Sequence, residues 1–444
     1  MIVFVVFCNR YFVGVYIKNL KGKNFDETIE GYEPTVSVVV PMFNEGEGIY
    51  RTINSLVALD YPKEKLEVIV VDDCSTDDSY QWARKAAREH NNVLVMRNAE
   101  NMGKRRSINR AVRRSTSEII VSVDSDVVVD NHAIKALVKR FVRPQIAAVG
   151  GRVSVINKDK NWLTQMQTVK YYFGYEYLKN VETAFNTVMC LSGCLTAYRR
   201  TVLLELEPIL ENRNMLGIPI KYGEDRFLTR QIVKAGYQTT MTLEANSYTV
   251  VPEKLSGYFS QQLRWRRSNI VDFLGGIWHI WRVNPFVMVH YLGLFGMMFM
   301  YPLVIAHTIV AGNFLALAVF HLGILGIFST VYKLKTWSLP EDMKVNPMAF
   351  LAMVVVMPVT YLLLTPLAMF TLDSGNWETR GKPTPKEEEI EAAELAPAVP
   401  TTYTSMQFAH VSNHGRTELP GVAAWTEQSF KRRDTTIGGN NRQL

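Results

Sequence analysis

EVIVVDDCSTD at 67–77 decides the fold, because an unbroken apolar run there ends abruptly in acids. Val68, Ile69, Val70 and Val71 do not alternate with polar residues, the pattern of a strand buried on both faces. Upstream, TVSVVVP (35–41) repeats it, and 48–59 reads as a helix. Downstream, 76–90 reads as a helix, VLVM (93–96) as a short strand and 104–115 as a basic helix. EIIVSVDSD (118–126) is a further strand, 130–141 a further helix, and IAAVGG (146–151) follows. This βαβα order predicts an α/β domain, Rossmann-like, with a mostly parallel sheet and helices on both faces.

The chain has 444 residues. The composition is divided: 35–280 is mixed, 285–372 almost wholly apolar, and 381–444 polar and broken by Pro and Gly. Collagen-like, wholly disordered and disulfide-stapled chains are excluded. So is a multi-spanning protein without soluble mass. Lys plus Arg is 49 against 42 Asp plus Glu, a net +7. That modest excess suits anionic lipid headgroups or phosphorylated ligands and calls for no nucleic acid. Cys8, Cys74, Cys190 and Cys194 have no second Cys/His pair at zinc spacing. The expectation is a reduced, cytoplasmic catalytic domain.

Residues 1–17 (MIVFVVFCNRYFVGVYI) are apolar but interrupted by Asn9 and Arg10. A helix of that length spans ~25 Å, short of a ~30 Å hydrocarbon core. Residues 1–20 are therefore expected to be a short or truncated membrane anchor, with Lys18, Lys21 and Lys23 marking the following chain as cytoplasmic. Candidate membrane segments lie at 285–311, 314–332 and 347–372. Pro358 and Pro366 could break the last into a re-entrant or interfacial pair. Residues 251–284 form a Trp- and Arg-rich amphipathic region expected to lie on the cytoplasmic membrane surface. The tail 381–444 reads as disordered.

Ligands of an open parallel sheet bind outside the carboxyl ends of its strands. Here those ends carry Asn44-Glu45, Asp72-Asp73 and Asp124-Ser125-Asp126. A lone Asp-x-Asp also occurs in solvated turns, but three acidic ends at one rim need a cation or donors to compensate them. Mn²⁺ or Mg²⁺ with a diphosphate fits, since these ions take one or two carboxylates plus phosphate oxygens. Asp126 is the first choice as ligand, with Asp124 beside it. Gly103-Lys104-Arg105-Arg106 suits a nucleotide phosphate, or is a solvated helix start. In Gly223-Glu224-Asp225-Arg226 a carboxylate could serve as general base. In Gln261-Gln262-Leu263-Arg264-Trp265, Arg264 could neutralise a leaving diphosphate and Trp265 could face a sugar ring. An interfacial helix with snorkelling arginines is the plainer reading of that stretch.

Together these motifs resemble a membrane-embedded, processive family-two glycosyltransferase with a GT-A fold. The resemblance rests on VVVPMFNE (38–45), VVDDCSTD (70–77), NMGKRRSIN (101–109), VDSD (123–126), SGCLTAYRR (192–200), GEDR (223–226) and QQLRW (261–265). It covers about 33–380 and is nearest to hyaluronan synthases and nodulation-type bacterial chitin-oligosaccharide synthases. It implies a GT-A domain at 33–250, interfacial helices at 251–284, a membrane bundle at 285–372 and a motif at 373–380.

The resemblance also implies roles. Asp73, Lys104, Asp124, Asp126, Gln261, Arg264 and Arg380 would bind the UDP-sugar donor, with Asp126 holding the metal. Asp225 would be the catalytic base. Ser192, Gly193, Cys194 and Trp265 would bind the growing polysaccharide acceptor. The protein would be a multi-pass plasma-membrane enzyme, in contact with membrane lipids, that inverts the anomeric carbon and exports its polymer. UDP-N-acetylglucosamine is the expected donor, and UDP-glucuronate as a second would make hyaluronan.

Three departures bear on this. Glu224 replaces the first Asp of the hyaluronan-synthase Gly-Asp-Asp-Arg and is commoner in chitin-type synthases. Cys194 replaces a Pro, and Trp377-Glu378-Thr379-Arg380 carries Glu378 for Gly. The gating loop and regulatory domain of cellulose synthases are missing from the sequence. The rival readings are a non-processive transferase acting on a lipid acceptor, of ceramide glucosyltransferase type, and a transporter or receptor with a degenerate soluble domain.

Overall fold

The computed structural model describes residues 14–21, 27–215, 217–339 and 344–373. Its main sheet starts from β1 (Val36–Met42), whose seven residues are all buried. It pairs in parallel with β2 (Leu66–Asp72) and with β4 (Ile119–Ser122), and β2 pairs in parallel with β3 (Val93–Arg97). The register aligns Met42 with Asp72, so the acid-bearing ends of β1, β2 and β4 lie on one edge. These are the strands that the apolar runs predict.

The sheet continues through β5 (Val128–Val129), β6 (Ile146–Val155), β7 (Thr196–Arg199) and β10 (Gln238–Thr249), in the order β3-β2-β1-β4-β7-β6-β10-β5. β7 is antiparallel to both its neighbours, and β5 is antiparallel to β10. A separate ribbon joins β8 (Asn214–Met215) to β9 (Ile218–Pro219). The mostly parallel α/β sheet is as expected, with two strand ends corrected: β6 runs on to Val155, past the predicted 151. The strand predicted over 118–126 stops at Ser122. Beyond it the chain turns, Val127 N–H bonding back to Asp124 O, and the two acids leave the ladder.

Two apolar layers cover the sheet. Val38, Val40, Val68, Val70 and Val121 pack on one face against Ile49, Ile53 and Leu56 of helix Gly48–Val57. Val39, Ile69, Val71 and Ile120 pack on the other, with Ala111, Leu203 and Phe227 from three more helices. Alternate strand residues thus serve opposite cores, which is why the strands read as continuous apolar runs.

Among the described residues, three helical segments are long and apolar enough to cross a membrane: Pro285–Val310, Phe314–Lys335 and Pro347–Met369. The third is irregular, passing through 3₁₀ (Pro347–Ala352) and π (Thr360–Leu364) turns near Pro358 and Pro366. Both of its flanks meet the α/β domain. Lys158 Nζ donates to Lys344 O at 3.3 Å, and Tyr222 Oη to Leu372 O at 2.8 Å. Helix Leu255–Gly276, the expected surface helix, buries Tyr258, Arg267, Ile270 and Phe273 and packs against the end of this segment. Of the expected anchor, Gly14–Lys21 is helical, and Gly14 lies against Phe286. The anchor's first thirteen residues, the 374–380 motif with Arg380, and the tail lie outside the described residues.

Candidate active site

The carboxyl edge of the sheet is built from tight turns. Asn44 (φ 52°) and Cys74 (φ 62°) both take the left-handed conformation just beyond β1 and β2. Such strain is held only where the surroundings fix it. Here Asn44 N–H donates to Ser75 Oγ at 3.0 Å, and Asn44 Oδ1 accepts from Thr76 N–H at 2.9 Å. Glu45 accepts from the Ser125 hydroxyl, which ties the first strand end to the Asp-x-Asp turn.

The acidic residues on this edge differ in their surroundings. Asp72 is buried, meets Arg97 Nε at 3.1 Å and accepts from Ser75 N–H. Asp73 is fully buried and accepts from Asn98 Nδ2 at 2.7 Å, Met102 N–H at 2.9 Å, Gly103 N–H at 2.7 Å and Ser107 Oγ at 3.2 Å. It thereby pins the loop before helix Lys104–Arg114, where Gly103 has φ 86°. Lys104, the first residue of that helix, donates to Asp124 Oδ1 at 2.6 Å and lies 2.9 Å from Glu224 Oε1. Burial works against its charge, but Asp124 and then Glu224 hold the ammonium well above the usual lysine range. Cys194 Sγ lies 3.6 Å from Asp124 Oδ2. Asp126 is exposed at the surface. Desolvation by the surrounding protein, then the Asp124 carboxylate, push its carboxyl up to about 6.

Glu224 and Asp225 form the first turn of helix Glu224–Lys234, entered through Gly223 at φ 67°. Asp225 Oδ1 accepts from Arg226 N–H at 2.8 Å. Lys104, Gly193, Glu224 and Asp225 line one pocket with Ile108 and Tyr198. Ser192, Gly193 and Cys194 precede β7, so this antiparallel strand brings them to the edge bearing Asp124. On helix Leu255–Gly276, Gln261 Oε1 and Arg264 Nε are buried with no hydrogen-bond partner among the described residues. The Trp265 ring lies 6.5 Å from that of Tyr171.

The structure thus joins Lys104, Asp124, Gly193, Cys194 and Asp225 directly, with Asp126 and Arg264 as electrostatic neighbours. Asp73 stands one layer beneath, holding the loop. Tyr171, Tyr175 and Lys170 escaped the sequence reading. They lie on helix Trp162–Phe173 and the π-helical turn Gly174–Lys179 that continues it. Their signal was the aromatic run YYFGYEY at 171–177, with Tyr171 and Tyr175 one helical turn apart.

The residues present fit a divalent cation held jointly with a diphosphate. Among the described residues no group of three His, Cys, Asp or Glu could cage an ion alone. An exposed Asp126, together with an Arg264 Nε that has no hydrogen-bond partner among the described residues, leaves room for phosphate oxygens as the remaining ligands.

Comparison with known proteins agrees with this geometry. Residues 34–268 match the family described as glycosyltransferase like family 2. The chain is similar to an N-acetylglucosaminyltransferase of Azorhizobium caulinodans, 34% identical over 242 residues, covering 54% of this chain and 60% of that protein. It is also similar to an N-acetylglucosaminyltransferase of Sinorhizobium fredii, 28% identical over 372 residues, covering 80% and 86% respectively. Several of these curated relatives are thus matched over little more than half of their length. A mannosyltransferase from Pyrobaculum calidifontis, solved with GDP-Man and Mn²⁺, shares the fold at a TM-score of 0.52, with 20% identity over 85% of this chain and 99% of that one. With more than half of its residues in the family match, the chain belongs to glycosyltransferase family 2.

Proposed function

We propose that this protein is an inverting β-glycosyltransferase that adds N-acetylglucosamine from UDP-N-acetylglucosamine to a growing polysaccharide at the cytoplasmic face of a membrane. The observation that carries the reading is the meeting of Lys104, Glu224 and Asp225 at one pocket, with Asp124 bound to the same Lys104 ammonium at 2.6 Å. The names of its rhizobial relatives support the choice of sugar.

In this reading Asp225 takes the proton from the acceptor hydroxyl, whose oxygen attacks the anomeric carbon while UDP departs on the opposite side. General-base help of this kind is worth ~10²–10⁴-fold. Lys104 and Arg264 face the diphosphate charge that develops. Asp126 would hold Mn²⁺ or Mg²⁺, which when bound supplies charge neutralisation on the leaving group. Asp73 keeps the loop at 101–103 in place against the nucleoside, and Trp265 with Tyr171 offers flat apolar faces to the acceptor sugar. Gln261 joins Arg264 on the donor side, and Ser192, Gly193 and Cys194 complete the acceptor end. The apolar segments at 285–369 anchor the domain beside the membrane and guide the product outward.

The test is UDP release by the detergent-purified full chain with UDP-N-acetylglucosamine, UDP-glucuronate, both together, UDP-glucose with ceramide, and GDP-mannose. Turnover needs UDP-N-acetylglucosamine and a divalent cation, and Asp126→Ala shifts the cation titration. Turnover only with both UDP-sugars, giving hyaluronidase-sensitive polymer, would identify hyaluronan as the product. Turnover confined to UDP-glucose with ceramide would overturn the reading.

A further inference from the structure

Glu224 has no task in the reaction described above, yet it lies at the centre of the site. Its side chain is 21% exposed and lies 2.9 Å from Lys104, whose side chain is 15% exposed and also touches Asp124. One ammonium therefore serves two carboxylates. Lys104 opens its helix, where the backbone dipole disfavours a cation, whereas Glu224 opens its own helix, where the dipole favours an anion. Helix stability thus explains Glu224's position but not Lys104's. The glycine at 193 points the same way. A β-carbon there would stand 3.0 Å from Lys104 Nζ and 3.4 Å from Asp124 Oδ1, so the backbone leaves the ammonium its room.

We propose that Glu224 is a positioning residue for the nucleotide-sugar. It tethers the Lys104 ammonium so that it can turn from Asp124 to the donor diphosphate and keep one carboxylate partner throughout. An ammonium has three donors, enough for Glu224 and a phosphate oxygen together. Without Glu224, Lys104 would be committed to Asp124, and leaving it would strip a half-buried carboxylate of its cation. Asp124 keeps the Cys194 thiol during the exchange. The proposal rests on the reading that this site binds a nucleoside diphosphate sugar, and deepens it by giving Glu224 a role through Lys104.

The experiment is a double-mutant cycle on the detergent-solubilised full chain, read as UDP affinity by calorimetry in Mn²⁺. Four proteins are compared: wild type, Glu224→Gln, Lys104→Met and the double variant. Glu224→Gln should weaken UDP binding about tenfold in the wild type and less than about twofold in Lys104→Met, the mark of a coupled pair. Glu224→Asp should restore part of the affinity, and KM for the donor should rise more than kcat falls. Equal losses in both backgrounds, or none in the wild type, would overturn the proposal. A wild-type protein that binds no UDP would instead overturn the donor reading, and this inference with it. Circular dichroism of each variant separates loss of affinity from loss of fold.

Discussion

Gly223 packs so closely on Ser268 that a β-carbon at position 223 would overlap the Ser268 hydroxyl. The contact sets the turn bearing Glu224 and Asp225 against the helix bearing Gln261, Arg264 and Trp265, which is how residues about forty positions apart come to share one site. Gly223 also needs its positive φ of 67°. Gly223→Ala should therefore cut transfer by at least about tenfold, since strain of ~1–3 kcal/mol falls on the catalytic turn. Adding Ser268→Gly relieves the overlap but not the φ, so activity should return only in part. Full recovery in the double variant would show that the backbone angle is immaterial.

Asp225→Asn keeps the shape of the turn and removes the base. Transfer should fall by ~10²–10⁴-fold, while UDP affinity stays within about twofold. Single-turnover transfer and calorimetry measure the two separately. Near-normal turnover would assign the proton to another group.

Lys170 offers a test by pH. It donates to Gln262 Oε1 at 2.8 Å and lies 5.6 Å from the centre of the Trp265 ring. Burial, then Arg266, lowers its ammonium to about 8. Between that value and the ordinary lysine value of about 10.4 the unfolded chain binds more protons than the folded one. Stability should thus rise with pH across this window. Lys170→Met should flatten that rise in thermal unfolding, and an unchanged slope would remove Lys170 as its source.

Both flanks of the third apolar segment touch the catalytic domain, Lys344 at Lys158 and Leu372 at Tyr222. The chain at Asp373 should then lie on the catalytic side of the membrane. Asp373→Cys should react with an impermeant maleimide in inside-out vesicles and stay protected in right-side-out ones. The opposite pattern would make this segment a full crossing.

The sequence revealed β1 to β4 and their helices well, because their buried runs have no other reading. Its strands and helices over 152–250 were not legible, and the reasons are physical. β7 is four residues long, and its burial comes from pairing with β4 and β6 rather than from its own pattern. β10 is rich in Thr, Asn and Ser, several of which are buried. Asp225 and Arg264 were legible as motifs. The Lys104 bridge to Glu224 was not, since it joins two helix starts 120 positions apart. The four donors around Asp73 were hidden likewise, because they depend on the fold of the loop at 98–107.

The proposed activity is the building of a β-linked chain from UDP-N-acetylglucosamine. The most direct measurement is mass spectrometry of the product that the purified full chain makes from that donor and Mn²⁺. The account predicts a ladder of oligomers rising by one N-acetylhexosamine per step, sensitive to chitinase and missing with Asp225→Asn. A single transferred sugar on a lipid, or no product from this donor while another nucleotide-sugar is consumed, would contradict it.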